Sequence, residues 1–523
     1  MRLNTSLIGA FLGLSTIAAN TFTATPAAAG PGGGNTGPAS GYQALTRQDS
    51  LALRFTLEQR RTVQTVTVLG TVTGIAGSRP VFRFSVPADG SIRWWDGSGW
   101  TEIATAGTVP DSPVSMALYV PPDRERAYLA VGPRVIGEFG PVGMRAPVRL
   151  EGVRFEPQLP SGSRLEPVSA RAWPNNAQPR VGEPELLSHS DSPVQMPNSA
   201  VTVPGPREER IRMSYPAHTD DSAGAGNRYV YSDDGGRSWT TDRSGNPMPS
   251  VPSVNLTKLS GGTLLATNYH TYLRTGSSTE ASVETSVSTD GGASWTRRTG
   301  VLHTPQAMRP ISTETDRPGT RLGGFVLVHG ALEQPDGTLL QSAYGYYAND
   351  RTYRQLLLAS TDGGRDWTVR STVAAQGGGQ GYAEGAFAHT ADGALLAVMR
   401  TGDYRPMVAA RSTDDGRTWD PPQVLRSGSG ELPVTSIYPV LEPLPGGRLA
   451  LLTGRPGLRL YTSRDGIRWS APVSVDYRNS GNGTMVRTGN SLLVFGDRGA
   501  NWARPAPAPY AIWAREVRLG SLS

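Results

Sequence analysis

The 523 residues exceed one ordinary domain, and 63 Gly with 42 Pro against 37% hydrophobic residues favour many short strands joined by tight turns, hence an all-β protein. The 50 Lys+Arg against 44 Asp+Glu leave a net charge of +6 spread without a basic block, so charge gives no case for nucleic acid. Cysteine is absent, which excludes disulfides and thiol catalysis and leaves the fold resting on core burial.

Arg2 precedes an apolar run from Leu7 to Ala19, and Ala27-Ala28-Ala29 before Gly30 supplies the small residues of a cleavage site. The run is shorter than the roughly 20 apolar residues a membrane span requires and is broken by Gly9, Gly13, Ser15 and Thr16. Residues 1–29 therefore read as a signal peptide, and the protein as secreted without membrane insertion. Residues 30–41 (GPGGGNTGPASG) read as a flexible linker. Alternating runs from Val63, Val81 and Ala127, with turns at Ala88-Asp89-Gly90 and Pro121-Pro122-Asp123, predict a β-sandwich over 42–156. Its Trp94, Trp95 and Trp100 fit either a sugar-stacking surface or a core, and the usual burial of Trp favours the core. Residues 157–183 mix Pro, Ser, Asn and Gln with little periodicity and read as a second linker.

From residue 184 the chain repeats itself. Five segments share one pattern: SDDGGRSW from Ser232, STDGGASW from Ser288, STDGGRDW from Ser360, STDDGRTW from Ser412 and SRDGIRW from Ser463. Each is a hairpin turn in which Asp accepts from turn amides, Gly takes a positive φ and Trp packs between neighbours. These segments resemble Asp boxes, the signature of sialidases and other BNR-repeat propellers. A β-run, a Gly/Asp-rich turn and a second β-run precede the last four, as in KLSGGTLLATNYH from Lys258 and HTADGALLAVMRTG from His389. A sixth unit, TMVRTGNSLLVFGDRG from Thr484, continues into AIWAREVRL without a box. The predicted architecture is a six-bladed β-propeller over 184–523, preceded by a sandwich similar in architecture to the lectin-like jelly rolls in front of some sialidases.

In such a propeller the residues before the first strand and after the second line one face of each blade, with the boxes on the other. Glu384 precedes the first strand of blade four and Arg400 follows its second, so the two should meet over the axis. The resemblance implies a Glu that activates a tyrosine nucleophile and arginines that clamp a sugar carboxylate. Arg455 matches the third arginine in outline, with Arg459 as a neighbouring rival, and Asp220 and Asp221, beside His218, stand where the family keeps its general acid/base.

Two positions depart from the family. The first arginine is replaced in Gln195-Met196-Pro197, and Ser480-Gly481-Asn482-Gly483-Thr484 replaces the stretch that carries the tyrosine. Asn482 cannot be the nucleophile, while Tyr438 and Tyr477 are displaced candidates. A sialidase-like glycosidase keeping Glu384, Arg400, Arg455 and the Asp220/Asp221 pair is the leading reading. A non-catalytic glycan-binding propeller is the alternative. A polysaccharide lyase is the third, with His218, His270, His329 and Tyr344 as candidate acids and bases. A glycan is the expected partner and a monomer the expected state. No motif calls for a cofactor or metal, since the DGG repeats lack the spacing of a calcium loop.

Overall fold

The computed structural model describes residues 42–519 apart from 46–50, 58–63, 73–74, 96, 98, 105, 121–126, 132–133, 140, 143–147, 158–163, 167–179, 182–184, 191–197, 207, 218–225, 313–316, 318, 403–404, 428–431, 435, 455–457, 471, 477–481, 499, 502–503 and 506–509. The signal-peptide and first-linker readings lie outside the described residues.

Residues 42–166 supply two antiparallel sheets. One orders Tyr42–Ala44, Arg149–Glu156, Gln64–Val72, Ile75–Val86, Ile92–Trp95 and Trp100–Ala104 side by side. The other orders Arg164–Glu166, Leu51–Leu57, Val114–Val120, Ala127–Val131 and Arg134–Phe139. Alternation does the sorting: Leu51, Leu53, Phe55 and Leu57 fall on one strand face and share a core with Val66, Phe84, Leu118 and Phe155 from both sheets. Trp94 joins that core, whereas Trp100 is exposed with its ring edge-on to Trp95 at 5.4 Å. Both ends of the 157–183 stretch are taken into sheets, Arg164–Glu166 against Leu51–Leu57 and Arg180–Val181 against Tyr510–Arg518.

The rest of the chain is a six-bladed β-propeller. Each blade's first strand lies innermost: Ser199–Pro204, Val254–Lys258, Phe325–Glu333, Ala383–His389, Ile437–Leu444 and Gly483–Thr488 for blades one to six. Antiparallel neighbours follow outward, for example Leu395–Arg400, Val408–Ser412 and Gln423–Val424 in blade four. Among the described residues, three strands of the blade-six sheet come from its own stretch of chain, Gly483–Thr488, Ser491–Arg498 and Tyr510–Arg518. Its fourth is Glu185–Ser190, which pairs with Tyr510–Arg518. A strand from the beginning of the repeat thus closes the last blade, covering an edge that would otherwise invite mispairing.

The five Ser-x-Asp turns share one hydrogen-bond scheme. In the turn from Ser288, the Ser288 hydroxyl donates to Asp290 Oδ1 at 2.7 Å, and the amides of Ala293 and Ser294 donate to the same oxygen at 3.0 Å. The tryptophan that follows reaches the preceding blade. Trp295 Nε1 donates to Gly245 O at 2.8 Å, Trp419 Nε1 to Ser371 Oγ at 3.0 Å, and Trp239 packs edge-on against Phe495 at 5.4 Å. Trp367 is fully buried with Leu302 and Val283 of blade two. Turn chemistry therefore doubles as the cement between blades. At Gly416 the turn needs glycine itself, since φ is +77° and a Cβ would stand 2.3 Å from Leu357 Cδ2.

Candidate functional site

The inner strands of blades three, four and five each break register, after Val328, Ala383 and Ile437. The next residue in each bulge takes a left-handed backbone: His329 (φ +61°), Glu384 (φ +51°) and Tyr438 (φ +47°). A non-glycine residue held there costs about 1–3 kcal/mol, and bulges re-aim side chains. Three such residues on adjacent blades touch one another. Tyr438 N donates to Glu384 Oε2 at 3.0 Å, His329 Nε2 lies 3.4 Å from Glu384 O, and the rings of His329 and Tyr438 are 5.1 Å apart.

Sequence neighbours fix the bulges. Gly385 leaves room for Gln355, whose Oε1 accepts from Gly385 N at 2.9 Å, while Ser342 Oγ donates to Gly385 O at 2.5 Å. Gln341 Nε2 donates to Val328 O at 2.7 Å and to His329 O at 3.2 Å.

Glu384 and Arg400 meet, as the blade topology predicts. Arg400 stands opposite Ala383 in the ladder, and its Nη1 donates to Glu384 Oε1 at 2.5 Å while Nη2 donates to the exposed Gln380 Oε1 at 3.0 Å. With side chains 14% and 12% exposed, the ion pair is not an ordinary solvated surface contact. The loop presenting Gln380 is anchored to blade three, with Tyr353 N donating to Gln380 O and Tyr382 N to Tyr353 O, both at 2.9 Å.

A row of tyrosines flanks the pair. Tyr344 lies in the field of Glu384 and Arg400, and burial, reinforced by Glu384, holds its hydroxyl well above the usual phenol range. Its oxygen is 2.7 Å from that of Tyr269, and its ring meets Tyr353 edge-on at 5.2 Å. Below the site runs an axial channel of about 320 Å³ that includes His329, Lys258 and Glu442 in its lining. Burial lowers the His329 imidazole to about 4, so it is neutral at pH 7 and donates from Nε2 to the Glu384 carbonyl.

Of the residues predicted from sequence, Gln195, Asp220, Asp221, Arg455, His218 and Tyr477 lie outside the described residues. Tyr438 is beside Glu384 but 3% exposed, and it meets the carboxylate through its backbone amide. Asn482 is buried at 3%, its amide 3.5 Å from Asp497 Oδ1. Arg459, the neighbouring rival of Arg455, is buried in blade five and does not face solvent. Gln380 and the fully buried Asp497 were missed, although Asp497 lies at the end of its blade's second strand, Ser491–Arg498, as Arg400 does in blade four.

Among the described residues no three His, Cys, Asp or Glu side chains are grouped as metal ligands. A larger cleft of about 620 Å³ lies between blades four and five beside Trp469 and the turn at Gly466, away from Glu384 and Arg400. Strand residues of blade four and the Gly466 turn line it, without Glu384 or Arg400, so size alone does not mark the site.

Residues 314–482 match the BNR repeat-like domain family. Similar solved structures include a protein of unknown function from Dyadobacter fermentans, at 19% identity over 65% of this chain and 99% of that one, with a TM-score of 0.49. An α-L-arabinanase from Penicillium chrysogenum is 14% identical over 65% and 99%, TM-score 0.44. The NanB sialidase from Streptococcus pneumoniae is 12% identical over 89% and 94%, TM-score 0.42. No curated protein matches the chain in sequence. The matched residues hold blades three to five, with Glu384, Arg400 and three of the five Ser-x-Asp turns, and this stretch of the chain is similar to BNR repeat-like domains.

Proposed function

We propose that this is a secreted, sialidase-like glycoside hydrolase acting on terminal sugars of glycans, acidic ones included, with Glu384 as the reacting carboxylate and Arg400 as its partner. One observation carries the reading: His329 and Tyr438, strained residues of the two adjacent blades, converge on the equally strained Glu384, next to an arginine and an exposed amide, on the face opposite the Ser-x-Asp turns. Asp220 or Asp221 as acid/base, Arg455 as a second clamp, and Gln195 and Asn482 as further sugar contacts belong to the same proposal. So do the assignment of the five turns as Asp boxes, the lectin-like role of the N-terminal sheets and export through residues 1–29.

A second reading, a non-catalytic glycan-binding propeller, is favoured by the occupation of both Glu384 carboxylate oxygens, by Arg400 and by the Tyr438 amide. One experiment separates them. Purified protein and its Glu384→Gln variant, with folding checked by melting, are incubated with a panel of glycans and assayed for reducing ends, unsaturated products and retention. Hydrolysis lost in the variant while binding persists supports the glycosidase. Retention without turnover in either protein supports the binder, unsaturated products the lyase, and neither turnover nor retention overturns the glycan reading.

A further inference from the structure

The tyrosine row does not stop at the site. Tyr353, T-shaped on Tyr344, stacks on Tyr346 with ring centres 4.7 Å apart and planes 29° apart, and the Arg309 guanidinium lies over the Tyr346 ring, 4.0 Å from its centre. Tyr346 and Tyr353 are half-buried and Arg309 is exposed. The row therefore runs from the buried Glu384–Arg400 pair to the surface.

Arg309 is held there by its backbone. Its amide donates to Tyr346 O at 3.2 Å, Met308 bridges to Tyr347, and Ala348 N donates to Ala307 O at 2.8 Å. Among the described residues Arg309 has no carboxylate within ion-pair distance. Asp350 is close enough to feel its field, but that carboxylate is engaged by Arg354 at 2.8 and 2.7 Å. An exposed guanidinium over an aromatic face keeps its planar donors for an anion, and phenol rings offer a wall to the apolar side of a sugar.

We propose that Arg309, Tyr346 and Tyr353 form a second sugar subsite beside Glu384 and Arg400 that takes a carboxylate-bearing unit, so that the ligand is an acidic oligosaccharide rather than a lone terminal sugar. The inference rests on the glycan reading above. Gln380, whose carbonyl is bonded to Tyr353 N and whose side chain is bonded to Arg400, joins the two subsites.

The test is calorimetric titration with trigalacturonate, trimannuronate and sialyllactose, each in native and carboxyl-reduced form. Wild-type protein should bind at least one acidic form about tenfold tighter than its reduced form, a ratio set by a charge-assisted bidentate contact. Arg309→Gln, an exposed change that leaves packing intact, should abolish that ratio. Tyr346→Ala should weaken both forms together. A ratio that survives Arg309→Gln but vanishes in Arg400→Gln overturns the second subsite and leaves the glycan reading standing. Wild-type binding that is equal for acidic and reduced forms, or absent for all of them, overturns the subsite as well. Failure on the wider glycan panel would overturn both.

Discussion

The axial channel places two titrations of opposite sign in one cavity. Glu442 lines it, and burial raises its carboxyl to about 7 from an ordinary 4.5, opposed only in part by Arg487. Its surface exposure is intermediate, because the open part of the side chain faces the channel. His329, in the same lining, is lowered to about 4 from 6.5. For Glu442 the folded state binds the extra proton, so its contribution is complete below about pH 4.5 and is lost as pH rises towards 7. For His329 the unfolded state binds the extra proton, so its contribution is complete above about 6.5 and is lost as pH falls towards 4. At 1.36 kcal/mol per unit, each amounts to at most about 3 kcal/mol, and over pH 4.5–6.5 the two nearly cancel. Single variants should uncover them. Relative to wild type, Glu442→Gln should gain up to about 3 kcal/mol between pH 4.5 and 7, and His329→Asn, a residue suited to the left-handed backbone, should gain as much between pH 6.5 and 4. Urea unfolding at half-unit steps from pH 4 to 8 gives both difference curves, in which the titrations of all other groups drop out. Flat curves for both variants would refute the enclosure of the channel.

Three further outcomes follow from the packing. Trp367→Ala should cost about 3–5 kcal/mol, read by denaturant unfolding, because the indole is fully buried between blades two and three; wild-type melting would contradict its role as cement. Asp242→Ala should cost about 3–5 kcal/mol by leaving Arg212, whose side chain is 2% exposed, without its 2.9 Å partner. Gly416→Ala should lower the melting temperature, since the added Cβ meets both Leu357 and a positive φ, and an unchanged melt would refute the close approach.

What the sequence could show was set by range. The Ser-x-Asp turns are legible because the hydrogen bonds from Ser and to Asp that shape them are local, so residue types at fixed offsets decide the geometry. Glu384 and Arg400 are legible for a related reason: a single hairpin brings its two ends together whatever the rest of the chain does. Blade six is different. Its outer strand comes from Glu185–Ser190, more than 300 residues from its partner in sequence, and nothing local in either segment announces the pairing. The bulges were also hidden, because His329, Glu384 and Tyr438 carry no turn chemistry of their own. Only the Gly or Pro that follows each, Gly330, Gly385 and Pro439, hints that the strand is irregular there. Arg459 could not be placed because alternation gives it a strand face without saying whether another blade covers that face.

The ion pair at the axis is more than closure of the ring requires. Elsewhere around the axis the same task falls to neutral groups. Leu256 N donates to Ser199 Oγ, Asn255 Nδ2 to Leu327 O, Ala331 N to Thr257 Oγ1 and Ser342 Oγ to Gly385 O, each joining one blade to the next. Glu384 does likewise for blades four and five by accepting from Tyr438 N, yet it adds a charge that is largely out of water and so obliges Arg400 to accompany it. Removing one member of such a pair costs about 3–5 kcal/mol, whereas replacing both with neutral groups of similar volume is often neutral or stabilising by about 1–4 kcal/mol. The carboxamide oxygen introduced by Glu384→Gln would still accept from Tyr438 N. The double variant Glu384→Gln/Arg400→Met should therefore melt at or above wild type, while Glu384→Gln alone melts lower and both lose glycan turnover or binding. A double variant as unstable as the single one would show that the charges hold the blades together, and the case for chemistry at Glu384 would fall with it.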